Sequence, residues 1–174
     1  MMIAALTSVA LAMAGDAVRS PYSGEEGRAI KALSDADVKA YLEGAGMGLA
    51  RPAELNQYPG PRHVLENAEA LKLNDAQRTG IEASFQEMKA AALALGRQIV
   101  EAERRLDAHF AERTASTASV SRLTRQIAEL QGELRAVHLR AHVAVRAQLT
   151  PEQIQQYVTL RGYDHGGHAA HDDH

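Results

Sequence analysis

The 174-residue chain contains no cysteine and no tryptophan, and its only phenylalanines are Phe85 and Phe110. The absence of cysteine excludes disulfides, thiolate metal sites and a cysteine nucleophile, and it leaves the redox compartment open. Aromatic residues make up 4% of the chain against 45% hydrophobic residues in all. A core must therefore consist of Leu, Ile, Val, Met and Ala, a mixture that favours helix packing, because strands are enriched in aromatic and β-branched residues. We expect a single all-α domain.

The chain also lacks a strong charge of either sign and the motifs of common enzymes. Its formal net charge is -3 with histidine neutral, and its basic and acidic residues are interspersed, so no nucleic-acid-binding surface is indicated. The glycines within residues 44–48 are not followed by the Lys-Ser/Thr of a phosphate-binding loop, and no nucleophile elbow is evident. The sequence therefore predicts a protein that is not an enzyme and does not bind nucleic acid.

The first 14 residues, MMIAALTSVALAMA, are uncharged and apolar and too short to span a bilayer. They end in a small-x-small pattern typical of signal-peptide cleavage, although no Lys or Arg precedes the apolar run. We predict a secretory signal and a periplasmic protein; the alternative is a buried N-terminal helix. The remaining chain is divided into an irregular segment at 15–62 with one or two short helices, a hairpin domain at 63–161 and a disordered tail at 162–174.

Two long stretches carry apolar or small residues at alternating steps of three and four, which is the period of a coiled-coil seam. In the first stretch these residues are Ile81, Phe85, Met88, Ala92, Leu95, Ile99, Ala102 and Leu106. In the second they are Val120, Leu123, Ile127, Leu130, Leu134, Val137, Ala141 and Ala144. The Ser/Thr-rich residues 114–119 between them predict a short turn. Two long helices joined in this way fold back antiparallel, so a helical hairpin is predicted.

Shorter helices are expected before the hairpin. Ser34 can cap a helix that runs through Leu42, and another is expected at 63–71, directly after Pro61. A hairpin cannot bury its outer apolar faces by itself, so the short helices or a second chain must cover them. We therefore also expect a homodimer, since most soluble oligomers are closed and twofold.

Two short segments, LNDAQ and LTPEQ, share a helix-starting pattern and flank the hairpin. Pro151 ends the preceding helix because it lacks an N–H, and it suits the first position of the next helix. Thr150 is the predicted N-cap and Gln153 completes a capping box; Asn74 and Gln77 take these two roles in LNDAQ. The motif residues are Leu73, Asn74, Gln77, Leu149, Thr150, Pro151 and Gln153.

Paired Leu-Thr-x-x-Gln motifs around a long helical hairpin, after an export signal, resemble the Spy/CpxP-like family. LTPEQ matches the motif fully, whereas LNDAQ has Asn74 in place of threonine, which keeps the capping chemistry. The stretch from Gly46 to LNDAQ is similar to the start of the metal-resistance and heavy-metal-sensor members. The resemblance implies an exported, all-α, dimeric protein shaped as a thin cradle. It also implies ATP-independent chaperoning of unfolded envelope proteins, modulation of envelope-stress signalling, or binding of zinc, copper, nickel or cobalt.

Two histidines near the end of the second long stretch have the spacing of a metal clamp. His138 and His142 lie on one helix face, where two imidazoles can chelate one ion. Each directly follows a seam residue, so we expect the pair at the edge of the seam. Antiparallel pairing places it opposite residues 87–92, which offer Glu87 and Met88, a set that suits zinc, copper, nickel or cobalt. The alternative is a pair of ordinary polar residues, since transition metals need three or four ligands.

The C-terminal tail is richer in ligands. Its histidines and aspartates are His165, His168, His171, His174, Asp164, Asp172 and Asp173. Short His-rich tracts are typical of metal binding, and the affinity should fall as the pH drops through about 6.5, because protonated imidazole cannot ligate. The alternative is a solvating tail without a specific role.

Two functions are consistent with these features. The first is an exported binder of unfolded envelope proteins that also binds a divalent metal ion. Its apolar surface would be rimmed by basic residues such as Arg97, Arg104, Arg122, Arg125, Arg135 and Arg140. The second is a periplasmic heavy-metal sensor or buffer that signals to a membrane-bound partner, with metal binding at His138 and His142 shifting the hairpin between two states.

Overall fold

The computed structural model describes residues 19–163, which form helices and turns without a strand. The helices are α1 (Asp35–Leu42), α2 (Arg51–Glu54), α3 (Pro61–Glu66), α4 (Asp75–Ala111), α5 (Thr117–Arg146) and α6 (Pro151–Leu160). The prediction of an all-α hairpin with short flanking helices is confirmed. The predicted signal segment and all histidines of the tail lie outside the described residues, and the homodimer stays a prediction.

The hairpin consists of α4 with 37 residues and α5 with 30. The two helices are joined by a short turn, since α4 ends at Ala111 and α5 begins at Thr117. Ser116 of the predicted Ser/Thr cluster caps α5, and its side chain accepts a hydrogen bond from the backbone N–H of Ser119. Eight seam residues are buried, namely Ile81, Ala92, Ile99, Ala102, Leu123, Ile127, Leu134 and Ala141. Of the other eight predicted seam residues, seven are half-buried, and only Ala144 is exposed, while its neighbour Val145 is buried. The buried face of α5 is therefore rotated slightly from the predicted stripe at its C-terminal end.

One face of the hairpin is covered by the chain that precedes it. Ile30 and Leu33 pack with Val100 of α4 in a small buried cluster. At Gly96 a Cβ would lie only 2.1 Å from the carbonyl oxygen of Tyr41, so α1 approaches the backbone of α4 more closely than a side chain would allow. The N-terminal segment thus packs closely on one face of the hairpin, and nothing in the described residues covers the groove on the opposite face.

Helix α3 is shorter than the pattern predicts, since it ends at Glu66 and not at 71. The side-chain amide of Asn67 donates to the carbonyl oxygen of His63 at 2.7 Å. Asparagine side chains compete in this way with the helical backbone and end helices. The predicted helix at 63–71 is therefore wrong in its C-terminal half, where turns lead to the next N-cap.

The open ends of the hairpin are joined by a separate core. Its buried members are Val64, Ala68, Leu71, Leu73, Ile81, Val145, Leu149 and Tyr157. They come from α3, the start of α4, the end of α5, α6 and the connections between these helices. The leucines of both motifs belong to this core. Each motif therefore starts a helix and also contributes a buried side chain to the base of the hairpin.

The glutamines of the two motifs pair with each other. Both capping boxes are present, with the side chain of Asn74 bonded to the N–H of Gln77 and that of Thr150 to the N–H of Gln153. Beyond this, Gln77 Nε2 donates to Gln153 Oε1 at 2.8 Å, and Gln153 Nε2 donates to Gln77 Oε1 at 3.1 Å. Each amide also donates to a backbone carbonyl across the junction, that of Gln148 or Leu71. A glutamate would suit a capping box equally well, but two carboxylates could not form this pair.

We expect substitution of the paired glutamines to destabilise the fold in a coupled way. Gln77→Ala and Gln153→Ala should each lower the free energy of unfolding by about 1–3 kcal/mol, because each removes the glutamine half of a capping box and two or more further hydrogen bonds. The double variant should lose less than the two together, with a coupling of about 0.5–3 kcal/mol. Gln77→Glu should be destabilising too, although it keeps the capping box. Denaturant unfolding monitored by circular dichroism measures all four, with exposed Gln155→Ala as the control; strict additivity would show that the amides do not act as a pair.

Candidate functional site

The two spaced histidines of α5 lie inside the structure. His138 is 4% exposed and His142 is 9% exposed, whereas the sequence pattern places them at the edge of the seam. The difference arises because the connection between α2 and α3 crosses over this part of α5. Gly60 of that connection is the closest point: a Cβ there would lie 2.8 Å from His142 Cε1 and 3.0 Å from His142 Nε2, so only glycine fits.

The covering connection is fixed to α5 by further contacts. Arg146 donates a hydrogen bond to the carbonyl oxygen of Gln57, and its guanidinium lies 4.7 Å from the centre of the Tyr58 ring, in cation–π contact. His142 Nδ1 lies 2.7 Å from the carbonyl oxygen of Tyr58. A carbonyl only accepts, so Nδ1 carries the hydrogen, which leaves Nε2 as the nitrogen available to a ligand. Metal-binding histidines are oriented by this kind of bond.

His138 contributes a nitrogen without a partner. Within the described residues its Nε2 is buried and forms no hydrogen bond. Burial lowers the pKa of His138, and the nearby basic side chains of His142 and Lys89 lower it further. The ring is therefore neutral at neutral pH, in the form that can ligate a metal ion. A buried nitrogen without a partner is costly, so it is a natural position for a ligand.

Both histidines line one cavity, which we call the histidine cavity, with a volume of about 430 Å³. Met88 and His63 line it as well. The predicted pairing of this part of α5 with residues 87–92 therefore holds for Met88. Glu87 is exposed and lines a groove on the opposite face of the hairpin instead. Among residues 19–163 no group of three or more histidines and carboxylates is placed to hold a metal ion, so the core metal site stays a prediction.

A buried carboxylate next to the histidine cavity holds several segments together. Glu54 Oε1 accepts hydrogen bonds from the hydroxyls of Tyr157 at 2.5 Å and Tyr163 at 3.1 Å. It also lies 3.4 Å from Arg161 Nε, and Glu54 Oε2 lies 3.7 Å from His142 Nδ1. We call these five residues the Glu54 cluster. It joins α2 to α5, to α6 and to the chain that follows α6.

The centre of the Glu54 cluster is largely shielded from water, and this shielding shifts the pKa of Tyr157. The side chains of Glu54 and His142 are 14% and 11% exposed. Burial raises the pKa of Tyr157, and the neighbouring Glu54 carboxylate raises it further. Tyr157 is therefore a permanent donor. Glu54 Oε1 is held by two hydroxyls and a guanidinium, whereas Glu54 Oε2 is buried without a hydrogen bond among the described residues. Sequence spacing did not mark Glu54, because its partners come from distant parts of the chain. His63 bonds locally to Glu66, but the histidines with which it shares the cavity are distant in sequence.

The open face of the hairpin carries a shallow groove of about 310 Å³. It is lined by Ser84, Glu87, Met88, Ala91, Val137, Arg140, Ala141 and Ala144. Its floor consists of small apolar side chains from both long helices, and its rim carries one acidic and one basic residue. Such a surface can take an extended apolar segment without demanding a particular sequence.

A comparison with models of protein families shows to which family the chain belongs. The family model described as LTXXQ motif family protein matches residues 62–161, which include both motifs, the hairpin and α6. The chain belongs to this family, the Spy/CpxP-like family. Comparisons with curated proteins and with solved structures each find no match. The finer assignment to metal-resistance members stays a prediction.

The family fits the remaining observations on this Spy/CpxP-like protein. Its members are typically secreted to the periplasm and are not known as enzymes. Of the helices at 19–163, none combines the length and the apolar character needed to cross a membrane. In this protein the motif glutamines form the paired amides at the base of the hairpin, so the family signature corresponds to a junction between two helix starts.

We expect acid to destabilise the metal-free protein through His138. A histidine whose pKa is lower in the folded than in the unfolded state binds fewer protons when folded, so its contribution to stability is lost as the pH falls. The loss should begin near the ordinary value of 6.5 and level off below the folded pKa. Urea unfolding in chelator at a series of pH values measures it. His138→Gln should flatten the dependence, while His109→Gln at the hairpin tip serves as control; an unchanged slope in His138→Gln would contradict this assignment.

Proposed function

We propose that this Spy/CpxP-like protein binds non-native envelope proteins without ATP, along the open face of its hairpin, and that it also binds a divalent transition metal ion. The observation that carries the proposal is the one-sided cover of a two-helix layer. The N-terminal segment packs on one face of α4 and α5, and the groove between the same helices is open on the other.

The chemistry of the open face suits weak and adaptable binding. Ala91, Ala141 and Ala144 offer small apolar contacts, and Met88 offers a flexible thioether; such surfaces accept different partners because they repack. The arginines expected at the rim are all exposed, namely Arg97, Arg104, Arg122, Arg125, Arg135 and Arg140. Arg104 and Arg140 pair with neighbouring glutamates, and exposed pairs of this kind are readily exchanged for contacts with a client.

ATP independence is implied by the family resemblance, and it is consistent with a sequence that contains no phosphate-binding loop motif. Release of a client must then depend on its own folding or on a change in the surface. A shallow groove with few fixed hydrogen-bonding groups favours rapid release, because differences in affinity among such complexes are mostly differences in dissociation rate.

The histidine cavity favours a second candidate, a heavy-metal sensor or buffer that signals to a membrane-bound partner. His142 takes part in both the cavity and the Glu54 cluster. A zinc, copper, nickel or cobalt ion at its Nε2 would lie next to Gly60, whose backbone is already in close contact. Binding would therefore displace the covering connection and the segments that Glu54 holds. In this way a bound ion would alter the surface that a partner contacts.

The protein should suppress the aggregation of a chemically denatured client at several-fold molar excess. Ala144→Glu should weaken this activity, because it places a charge on the groove floor at an exposed position that does not disturb the core. Ala128→Glu, at an exposed site elsewhere on α5, is the matched control. Light scattering of the client measures all three. No suppression by the parent, or equal activity of the two variants, would contradict the proposed client surface.

A further inference from the structure

The turn of the hairpin carries an excess of positive charge. We call residues 104–125, which comprise the end of α4, the turn and the start of α5, the hairpin tip. It contains five arginines, and its acidic residues are Asp107 and Glu112, so its formal charge is +3 with histidine neutral. The whole chain has a net charge of -3, so the rest of the protein is acidic. The arginines are Arg104, Arg105, Arg113, Arg122 and Arg125.

The contacts at the hairpin tip leave most of this charge uncompensated. All five arginines are exposed, and within the described residues only Arg104 forms an ion pair, with Glu101. Asp107 is itself paired with Lys31 of the N-terminal segment, since Lys31 Nζ lies 3.5 Å from Asp107 Oδ2. The positive charge of Lys31 thus offsets one of the two acidic residues, and the exposed guanidinium groups are available to an anionic surface.

A large aromatic side chain is exposed at the same end of the molecule. Phe110 lies in the last turn of α4 and is 59% exposed, although phenylalanine is among the side chains that proteins bury most often. Residues 111–118, which follow it through the turn, are all exposed as well. An exposed aromatic ring among basic side chains is the combination by which proteins attach to the surface of a membrane.

The narrow shape of the hairpin tip favours a bilayer over a folded protein as its partner. Two helix ends side by side, each about 10 Å across, present about 200 Å². A standard protein interface buries about 800 Å² on each partner, so the tip alone is too small for one. The histidine cavity and the open groove are both lined by residues outside 104–125. A deformable lipid surface needs no such area, because an aromatic ring can enter it while arginines meet the headgroup phosphates.

We propose that the hairpin tip docks this protein on a bilayer that contains anionic phospholipid, with Phe110 at the boundary of the acyl chains and the arginines at the headgroup phosphates. Each arginine near such a surface contributes about fivefold in affinity, so several of them and one aromatic ring give a reversible attachment. Members of the family are typically secreted to the periplasm, a compartment bounded by membranes. The inference uses a surface separate from the proposed client and metal sites.

Attachment by the tip keeps the proposed client surface clear of the bilayer. Ala91 lines the open groove and lies on the same helix as Phe110. At about 1.5 Å per residue, the two positions are about 28 Å apart along α4. A protein docked by its tip would therefore hold the groove above the membrane surface, where clients can reach it.

Co-sedimentation of the full chain with lipid vesicles tests the docking surface. We expect binding to an equal mixture of phosphatidylglycerol and phosphatidylcholine, and little binding to phosphatidylcholine alone. Binding should decline as salt is added, because salt screens exposed charges. Arg113→Gln/Arg122→Gln should weaken it by about 25-fold, at about fivefold for each arginine. Phe110→Ala should weaken it by about tenfold, because the ring no longer enters the bilayer.

Two variants at the base of the hairpin are the matched controls. Arg62→Gln/Lys72→Gln removes the same charge at two exposed positions, and Leu160→Ala removes an exposed apolar side chain at the end of α6. Both should bind within about twofold of the parent. Circular dichroism of each variant establishes that it is folded.

Three results would overturn the inference: no binding of the parent to the mixed vesicles, equal binding to both kinds of vesicle, or equal losses in the tip and base variants. Suppression of client aggregation by Phe110→Ala, without vesicles, should match that of the parent. Vesicle binding and client binding therefore fail separately, and the loss of one leaves the other standing.

Discussion

Glu54 makes the contacts on which the arrangement of this protein's functional features depends. Its carboxylate is bonded to Tyr157 and Tyr163 and lies against Arg161 and His142. Through these contacts a helix of four residues, α2, is joined to the end of the hairpin and to the chain after α6. No apolar residue of helix α2 is fully buried, and the Glu54 side chain is its most enclosed polar group, so side-chain bonds rather than apolar packing hold the helix. The connection that covers the histidines begins directly after Glu54 in the chain, so this anchor also fixes where the connection starts.

The two faces of the hairpin differ because, among residues 19–163, the N-terminal segment covers only one of them. On the covered face, the N-terminal segment encloses His138 and His142 next to the Glu54 carboxylate, and this supports the proposal of a metal site. On the open face, small apolar residues lie between the long helices, and this supports the proposal of client binding. Met88 lines both the histidine cavity and the open groove. An ion bound on one face would therefore be one side chain away from a client bound on the other.

Sequence reasoning succeeded where the relevant residues are close in the chain. The seam repeats every three or four residues and the capping boxes span three, so the hairpin, its turn and its helix starts were readable. The Glu54 cluster was not, because Tyr157 is 103 positions away from Glu54 and neither residue belongs to a repeat. The burial of His138 and His142 was missed for the same reason. Their own helix predicts an edge position, and a glycine some 80 residues earlier determines the cover. The glutamines illustrate both cases, since their caps are local and their pairing is not.

Amide hydrogen exchange of the Glu54→Ala variant tests the central role of this carboxylate most directly. If Glu54 anchors the cover and the end of α6, exchange should accelerate at residues 51–63 and 157–163. The hairpin between residues 92 and 134, which packs through its own seam, should exchange as in the parent protein. Unchanged protection around residues 51–63 would contradict the account, because the covering connection would then be held without Glu54.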